Sequence, residues 1–369
     1  PQPDRIEGAP HPRDTLQLFG QASAEAEFLA AYTSGRLHHG WLITGPKGIG
    51  KATLAWRIAR FLLATPDEDG GMFAPPPPTS LDIPTDHPVA RRMAAMAEGR
   101  CFLLRRAYDE KKAKLAEIIS VDEVRKLKNY FSLSSADGGR RVAIIDCLDE
   151  MNPQATNALL KLLEEPPARV TLLLIAHQPA RLLPTIRSRC RELRLSPLPP
   201  AYLSDALTQA GGEVAPDQRT ALSELAGGSV GEAFRLTNLD GLRTYATLIR
   251  LFSTLPRLDR PMAQTLADAG AAKGAESRFD LIVTLIDLFL ARLARAGIMH
   301  HTPPEAAPGE ADLIARLSPT PQAARAWAEL AQTLGLRARR GKAVNLDPAA
   351  LLMDMLLKID ELAKELAPR

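Results

Sequence analysis

Five short apolar runs, separated by helix-type patterns, fill the N-terminal half of the chain and limit its fold most strongly. Strand-sized apolar runs that alternate with helices are typical of a parallel sheet covered by helices on both faces. Apolar periodicity predicts helices over Lys51–Ala64, Val121–Phe131 and Pro153–Glu164. The sequence therefore predicts an α/β domain with five parallel strands. The strand candidates are Trp41–Thr44, Cys101–Arg105, Arg141–Asp146, Val170–Ile175 and Arg191–Leu195.

Strand patterns end at the proline-rich stretch 196–200, and only helical patterns follow it. Three short helices, interrupted at two Gly-Gly pairs, are predicted up to residue 240, and longer helices with one loop at Thr302–Gly309 come after them. Residues 66–100 are acidic and rich in proline, which predicts a surface insertion. The predicted domains are an α/β domain (1–197), a small helical domain (198–240) and a helical C-terminal domain (241–369).

Charge and cysteine usage exclude several classes of protein. The 46 Lys and Arg against 43 Asp and Glu leave a net charge of +3, too weak by itself to indicate nucleic-acid binding. Apolar runs are too short for a membrane span, and the polar, proline-rich start resembles no signal peptide. The 3 cysteines are widely spaced, which indicates neither a disulfide framework nor a zinc ribbon. We therefore expect a cytoplasmic protein without membrane contact.

A glycine-rich loop follows the first predicted strand and opens a helix. Gly45, Gly48, Gly50 and Lys51 have the spacing of a phosphate-binding loop, in which backbone N–H groups and the lysine hold phosphate oxygens. The next residue should be Ser or Thr to ligate magnesium, but it is Ala52. Thr53 comes one position late, about 100° further around the helix. The sequence predicts a degenerate nucleotide site that includes Thr53.

Acidic residues follow the third strand candidate. Asp146 lies where a phosphate-binding-loop protein places its magnesium carboxylate. Glu150 could polarise a water molecule, or Asp149 and Glu150 could simply favour the start of the next helix through its dipole. The sequence leaves both interpretations of Glu150 open.

Several blocks together resemble the clamp-loader subunits of bacterial DNA polymerase III, which are AAA+ proteins, and among them the delta-prime subunit family. The resemblance covers nearly the whole chain, and the stretch Asp149–Pro167 and the Ser-Arg-Cys motif at 188–190 are its most specific parts. The other matching blocks are Leu18–Gln21, Gly35–Leu42, Gly45–Thr53 and Ile119–Arg125.

The resemblance implies an architecture and a set of partners. In that family a five-stranded AAA+ domain carries a small helical lid and a C-terminal collar that joins five subunits into a ring. The ring opens a sliding clamp and places it on primed DNA, with ATP bound between subunits. The implied partners are gamma/tau and delta subunits, the clamp and the DNA, and the motif arginine, Arg189, would act in trans on a neighbour's nucleotide.

At three places the sequence departs from the family pattern, and these departures limit the ATP chemistry and the metal that the resemblance implies. ATP-hydrolysing subunits carry Ser or Thr at the position of Ala52 and a lid arginine at the position of Gly231, so we expect a subunit that is not itself catalytic. Whether it binds ATP or ADP stays open, because Gly45, Gly50 and Lys51 are retained. The four-cysteine zinc module of many relatives is missing, so no zinc and no other metal is predicted. The alternatives are an ATP-hydrolysing loader subunit and an unrelated P-loop kinase, which would explain neither the Ser-Arg-Cys motif nor the helical tail.

Overall fold

The central feature of the computed structural model is a parallel five-stranded sheet. The structure describes residues 5–65, 76–109, 111, 114–132, 139–272, 274 and 276–367. Within them the strands of the sheet follow the order β2-β5-β6-β1-β7. Their bounds are β1 Gly40–Thr44, β2 Cys101–Arg105, β5 Arg141–Asp146, β6 Val170–Ala176 and β7 Arg191–Arg194, and a small antiparallel pair lies between them in sequence, β3 Tyr108–Asp109 and β4 Lys114–Leu115.

Successive residues of the strands supply two apolar layers, one on each side of the sheet. Ile43 of β1 and Ile144 of β5 belong to a core that includes Leu54 of the following helix, whereas Leu42 and Ile145 face the other core. Burial on both sides explains why β1, β5 and β6 are almost continuously apolar. The α/β fold class with helices on both faces is confirmed.

The predicted helices of this part are confirmed with bounds within one residue. Asn152 caps one of them by accepting the Ala155 N–H at 2.7 Å, and proline at the first helical position suits that start. The helices are α1 Ala22–Thr33, α2 Lys51–Ala64, α3 Pro88–Ala94, α4 Val121–Ser132, α5 Pro153–Glu164 and α6 Pro184–Arg187, with 3-10 turns at Leu148–Glu150 and Pro179–Arg181.

Part of the expected surface insertion belongs to the core. Residues 66–75 lie outside the described residues, but Leu81 is buried, and so are Val89 and Met93 of α3, all within the core that contains α2. The interpretation as a surface insertion is therefore wrong for the second half of residues 66–100. Proline-rich composition concealed the isolated apolar residues that anchor this stretch.

The remainder of the described chain is helical, as predicted. A buried ion network links several of its helices: Glu310 accepts from Tyr245 Oη at 2.5 Å and from Arg292 Nε at 2.6 Å, and Arg292 also pairs with Glu224 at 3.0 Å. The helices are α7 Pro200–Gln209, α8 Arg219–Ala226, α9 Val230–Asn238, α10 Gly241–Ser253, α11 Arg260–Ala271, α12 Glu276–Met299, α13 Glu310–Leu317, α14 Pro321–Ala343 and α15 Pro348–Leu366, with a 3-10 turn at Pro216–Gln218.

The chain divides into two compact units. One comprises residues 1–212 and 228–231, and the other residues 213–227 and 232–369. The three domain boundaries expected from sequence stay a prediction. Among the described helices none combines the length and the apolar character that crossing a membrane requires.

A degenerate phosphate-binding loop and an arginine at the opposite edge

The loop after β1 has the backbone of a phosphate cradle. Gly45, Gly48 and Gly50 all have positive φ, and α2 begins directly at Lys51. At Gly48 the absence of a side chain is required by close approach, because an added Cβ would lie 2.4 Å from Ser229 Oγ. The loop thus presents the N-terminus of α2 in the way that holds anions in related loops.

The side chain of Lys51 is buried against its own loop. Its Nζ donates to the carbonyl oxygen of Gly45 at 2.7 Å and to that of Pro46. Burial lowers the pKa of Lys51 to about 8, and the negative charge of Asp146 opposes this shift. A phosphate in the loop would therefore have to replace two carbonyl partners of the lysine.

The acidic residues after β5 do not act as a free pair. The Asp149 carboxylate accepts the backbone N–H groups of His177 and Gln178, at 2.5 and 2.9 Å. Glu150 forms an ion pair with Arg106 at 2.8 Å, and burial raises its pKa while Arg106 opposes the rise. Both acids lie in the 3-10 turn Leu148–Glu150 rather than in α5.

Two polar residues near the loop are not among the site residues predicted from the sequence, which suggests only an exposed loop histidine at His177, whereas the structure has it partly buried. Burial and the positive charge of Lys51 lower the pKa of His177 to about 4, so this histidine is neutral at physiological pH. Arg106 follows β2 and reaches Glu150 only because the sheet places β2 beside β5. No spacing within the sequence signals that contact.

Residues 229–231 lie directly on the loop. Ser229 Oγ donates to the carbonyl oxygen of Lys47 at 2.9 Å, and Gly231 N donates to that of Gly48 at 3.1 Å. A Cβ at Gly231 would lie 2.7 Å from Ile6 Cδ1 and 3.0 Å from Gly48 Cα. Any side chain at position 231 would therefore press on the loop or on Ile6.

The nucleotide-site prediction fits this geometry in part. Gly45, Gly48, Gly50 and Lys51 form the cradle, and the charge of Asp146 acts on Lys51. Ala52 offers no oxygen to a metal, and its methyl packs against the core instead. The residues present could hold phosphate oxygens once Lys51 exchanged its carbonyl partners, but they lack the hydroxyl that usually ligates magnesium.

Arg189 lies at the other end of the strands. It precedes β7, whose first residue Arg191 is paired with Trp41 near the start of β1. The carbonyl oxygen of Arg189 would lie 3.3 Å from a Cβ added at Gly40, the first residue of β1. The phosphate loop follows the last residue of the same strand, so the sheet separates Arg189 from Lys51.

The guanidinium of Arg189 is held at the protein surface. Its Nη2 pairs with the Glu164 carboxylate at 2.8 Å, and its Nη1 donates to the Thr185 carbonyl oxygen at 2.9 Å. The side chain is 35% exposed. Arg191 nearby is engaged differently, with Glu27 at 3.3 Å and over the ring of Trp41.

The fold and the loop define a P-loop protein built on a parallel five-stranded sheet. A family model described as DNA polymerase III, delta subunit, matches residues 20–199. The delta' subunit of Pseudomonas aeruginosa is 37% identical over 54% of this chain and 55% of its own length. That of Escherichia coli is 28% identical over 90% of this chain and 92% of its own. The chain is therefore similar to delta' subunits of DNA polymerase III, most closely in its α/β part and at lower identity over nearly its whole length.

Related subunits and folds are similar over wide parts of the chain. The gamma/tau subunit of Mycobacterium tuberculosis is 28% identical over 75% of this chain and 46% of its own length. A gamma subunit-related protein of DNA polymerase III from Thermotoga maritima superimposes with a TM-score of 0.35 at 17% identity, covering 91% of this chain and 99% of its own. The chain thus spans about half the length of two of these relatives.

Proposed function

We propose that this subunit is a stator of the clamp loader, which does not hydrolyse ATP and lends Arg189 to the nucleotide of a neighbouring subunit. The observation that carries the proposal is the position of Arg189 beside the first residues of β1 and β7, across the sheet from Lys51. An arginine there is badly placed for its own loop and accessible to a neighbour packed against that edge.

Its chemistry suits a role in trans. A guanidinium can fork onto two phosphate oxygens, and an arginine that stabilises phosphoryl transfer raises rates by about 10³–10⁵ in GTPases. The Glu164 ion pair holds the side chain beforehand. A partly exposed pair contributes about 0–1 kcal/mol, so exchange of Glu164 for a phosphate would oppose the reaction little.

The subunit's own phosphate loop would bind nucleotide or stabilise the fold but would not support ATP hydrolysis. Ala52 and Gly231 remove a metal ligand and a lid cation, so bound ATP or ADP would be held by Gly45, Gly48, Gly50 and Lys51 without hydrolysis. The gamma/tau and delta subunits are the proposed partners in the ring, and the sliding clamp and primed DNA are reached through it. A cytoplasmic location accords with that role.

The test uses rings reconstituted with wild-type partner subunits. We expect Arg189→Ala to leave folding and ring assembly intact while slowing clamp-stimulated ATP hydrolysis and clamp loading by at least about tenfold, a lower bound set below the roughly 10³–10⁵ known for such arginines. Arg189→Lys should restore little, because an ammonium is a point charge. The matched control is Arg187→Ala, an exposed arginine two residues away. Unchanged rates of ATP hydrolysis and clamp loading with Arg189→Ala would mean that the role of the subunit is purely architectural.

A further inference from the structure

The last turn of α5 lacks two of its own backbone donors. In a helix the N–H of residue i+4 donates to the carbonyl oxygen of residue i. The residues that would serve Leu162 and Leu163 in this way are Pro166 and Pro167, and proline has no N–H. His39, in the segment before β1, bonds to the Leu163 carbonyl oxygen through its Nε2 at 2.9 Å instead. A side chain from a distant part of the sequence therefore caps this helix.

The ring of His39 is held as an uncharged donor. A carbonyl oxygen only accepts hydrogen bonds, so the proton of this bond lies on Nε2. His38 stacks on the ring with 4.4 Å between the ring centroids, and the carbonyl oxygen of His39 accepts the Leu172 N–H of β6 at 2.7 Å. Burial lowers the pKa of His39, although the bond to Leu163 opposes this shift. A neutral donor at this place adds no positive charge that would compete with an arginine for a nearby carboxylate.

The residue after Leu163 is the ion-pair partner of Arg189. Glu164 ends α5, and its carboxylate lies 2.8 Å from Nη2 of Arg189. Gly40 lets both partners approach β1, because a Cβ there would lie 3.0 Å from Leu163 Cδ2 and 3.3 Å from the Arg189 carbonyl oxygen. His39 and Gly40 together thus contact the end of α5 and the backbone of the arginine.

The backbone of Arg189 is fixed from its own side as well. Its N–H donates to the Ile186 carbonyl oxygen at 3.1 Å, and its Nη1 donates to that of Thr185 at 2.9 Å. Ile186 is buried in the same core as Leu163. The direction of the guanidinium therefore depends on the Glu164 carboxylate, whose own position depends on the end of α5.

We propose that His39 is a positioning residue for Arg189, which acts through the Leu163 carbonyl and the Glu164 carboxylate. Without this hydrogen bond the last turn of α5 would fray, and Glu164 would no longer hold the guanidinium in one direction. An arginine that is free to change rotamer has to lose that freedom when it binds a phosphate. The positioning itself rests on contacts within this subunit, whereas its effect on ATP hydrolysis in a neighbouring subunit rests on the proposed function.

The first experiment measures how fast phenylglyoxal modifies Arg189 in the isolated protein, with mass spectrometry to assign the modified residue. We expect His39→Ala to raise this rate about two- to tenfold, as for the net loss of one hydrogen bond. His39→Gln should restore most of the protection, because the carboxamide of glutamine can place an N–H close to the position of Nε2. Modification of Arg191 is the internal control, since its guanidinium pairs with Glu27 instead. Unfolding midpoints equal to wild type show that the variants are folded.

Glu164→Gln changes the other end of the same connection and does not depend on how a His39 variant folds. It removes the carboxylate charge at an exposed position and should also raise the modification rate of Arg189. Glu165→Gln, at the next residue and also exposed, is the matched control and should leave that rate unchanged.

The second experiment measures clamp-stimulated ATP hydrolysis by rings reconstituted with wild-type partners. His39→Ala should slow hydrolysis about two- to tenfold on its own and should have no further effect when it is combined with Arg189→Ala. A merely structural role would slow hydrolysis by the same factor with and without Arg189, because independent effects add. His39→Gln should restore most of the rate.

The outcomes separate this inference from the proposed function. The inference is overturned if folded His39→Ala leaves the modification of Arg189 unchanged, or if it slows hydrolysis equally with and without Arg189. If the His39 variants do not fold, an unchanged modification rate in Glu164→Gln overturns it. If His39→Ala and Glu164→Gln both raise the modification rate while Arg189→Ala leaves the ring unaffected, the positioning by His39 is supported and the proposed function fails.

Discussion

At the scale of single residues, the phosphate loop is defined by what its lysine contacts. Lys51 binds two carbonyl groups of its own loop, and its charge acts on the partly buried His177. The ammonium group is thus part of the loop's internal structure. A loop that satisfies its own lysine is stable without a ligand, which accords with the proposed role without ATP hydrolysis.

We expect the isolated protein to show negligible ATPase activity with magnesium. Ala52 supplies no metal ligand, and Gly231 supplies no cation to the phosphates. Ala52→Thr alone should not produce turnover, because the lid cation would still be missing. Phosphate release from ATP is the measurement, and steady turnover that disappears in Lys51→Ala would contradict the expectation.

Gly48→Ala should lower the free energy of unfolding by about 1–3 kcal/mol. The φ of Gly48 is +78°, and the new Cβ would meet Ser229 Oγ at 2.4 Å and Gly231 Cα at 3.0 Å. Gly211→Ala is the control, because Gly211 has nearly the same φ, +79°, with nothing within 4 Å, and should lose only about 1 kcal/mol from backbone strain. Chemical denaturation compares the two, and equal losses would show that the contact with residues 229–231 contributes nothing.

At the scale of helices and strands, the sequence predicted best what depends on near neighbours. The bounds of β1, β5 and β6 follow from apolar runs buried on both faces, α2 and α4 follow from their own periodicity, and α5 follows from its periodicity and its cap. Contacts between distant segments left no such signal. The Arg106–Glu150 pair requires β2 beside β5, and the Lys47–Ser229 hydrogen bond joins residues 182 positions apart. The spacing of the phosphate loop is visible in the sequence, whereas the carbonyl partners of Lys51 are visible only in the structure.

The buried ion network is the element-scale feature with the largest expected effect on stability. Glu310 is fully buried, accepts from Tyr245 and Arg292, and also accepts the Ala306 N–H at 2.7 Å. Glu310→Ala should lower the free energy of unfolding by about 3–5 kcal/mol, because the buried charge of Arg292 then loses its main partner.

Arg125→Ala provides the comparison for that variant. Arg125 and Asp122 form an ion pair at 2.7 Å with side chains 68% and 71% exposed, so its loss should change stability by about 0–1 kcal/mol. Urea unfolding of the full-length variants is the measurement. If Glu310→Ala lowers the free energy of unfolding no more than Arg125→Ala does, the attraction within the network only balances the cost of removing its charges from water.

At the scale of the whole molecule, the helical C-terminal part is expected to carry assembly. The apolar stripe of α15, which includes Leu352, Met355 and Ile359, is buried inside this part and holds its helices together. Removal of residues 241–369 should therefore abolish entry into the ring, because the folded helical part that is expected to carry the subunit contacts is lost.

Gel filtration with the partner subunits tests this expectation. The full-length Arg189→Ala protein serves as the control, since it should enter the ring normally. Normal incorporation of the truncated chain would place the assembly contacts in the first 240 residues instead. The truncated chain lacks Arg292, the ion-pair partner of Glu224 in α8. Proteolysis of the truncated chain should therefore check whether α8 has unfolded locally.

The contact between Gly231 and Gly48 also limits how this chain can change over evolutionary time. If the subunit does not hydrolyse ATP, as proposed, a gain of hydrolysis would need an arginine at position 231, but a side chain there meets Ile6 and the loop backbone. The arginine would therefore be harmful until the surrounding residues had shifted, and a hydroxyl at position 52 alone would bring no advantage. Each of the two changes depends on the other, so selection could not favour them one at a time, and the proposed non-hydrolysing subunit could not gain hydrolysis by single substitutions.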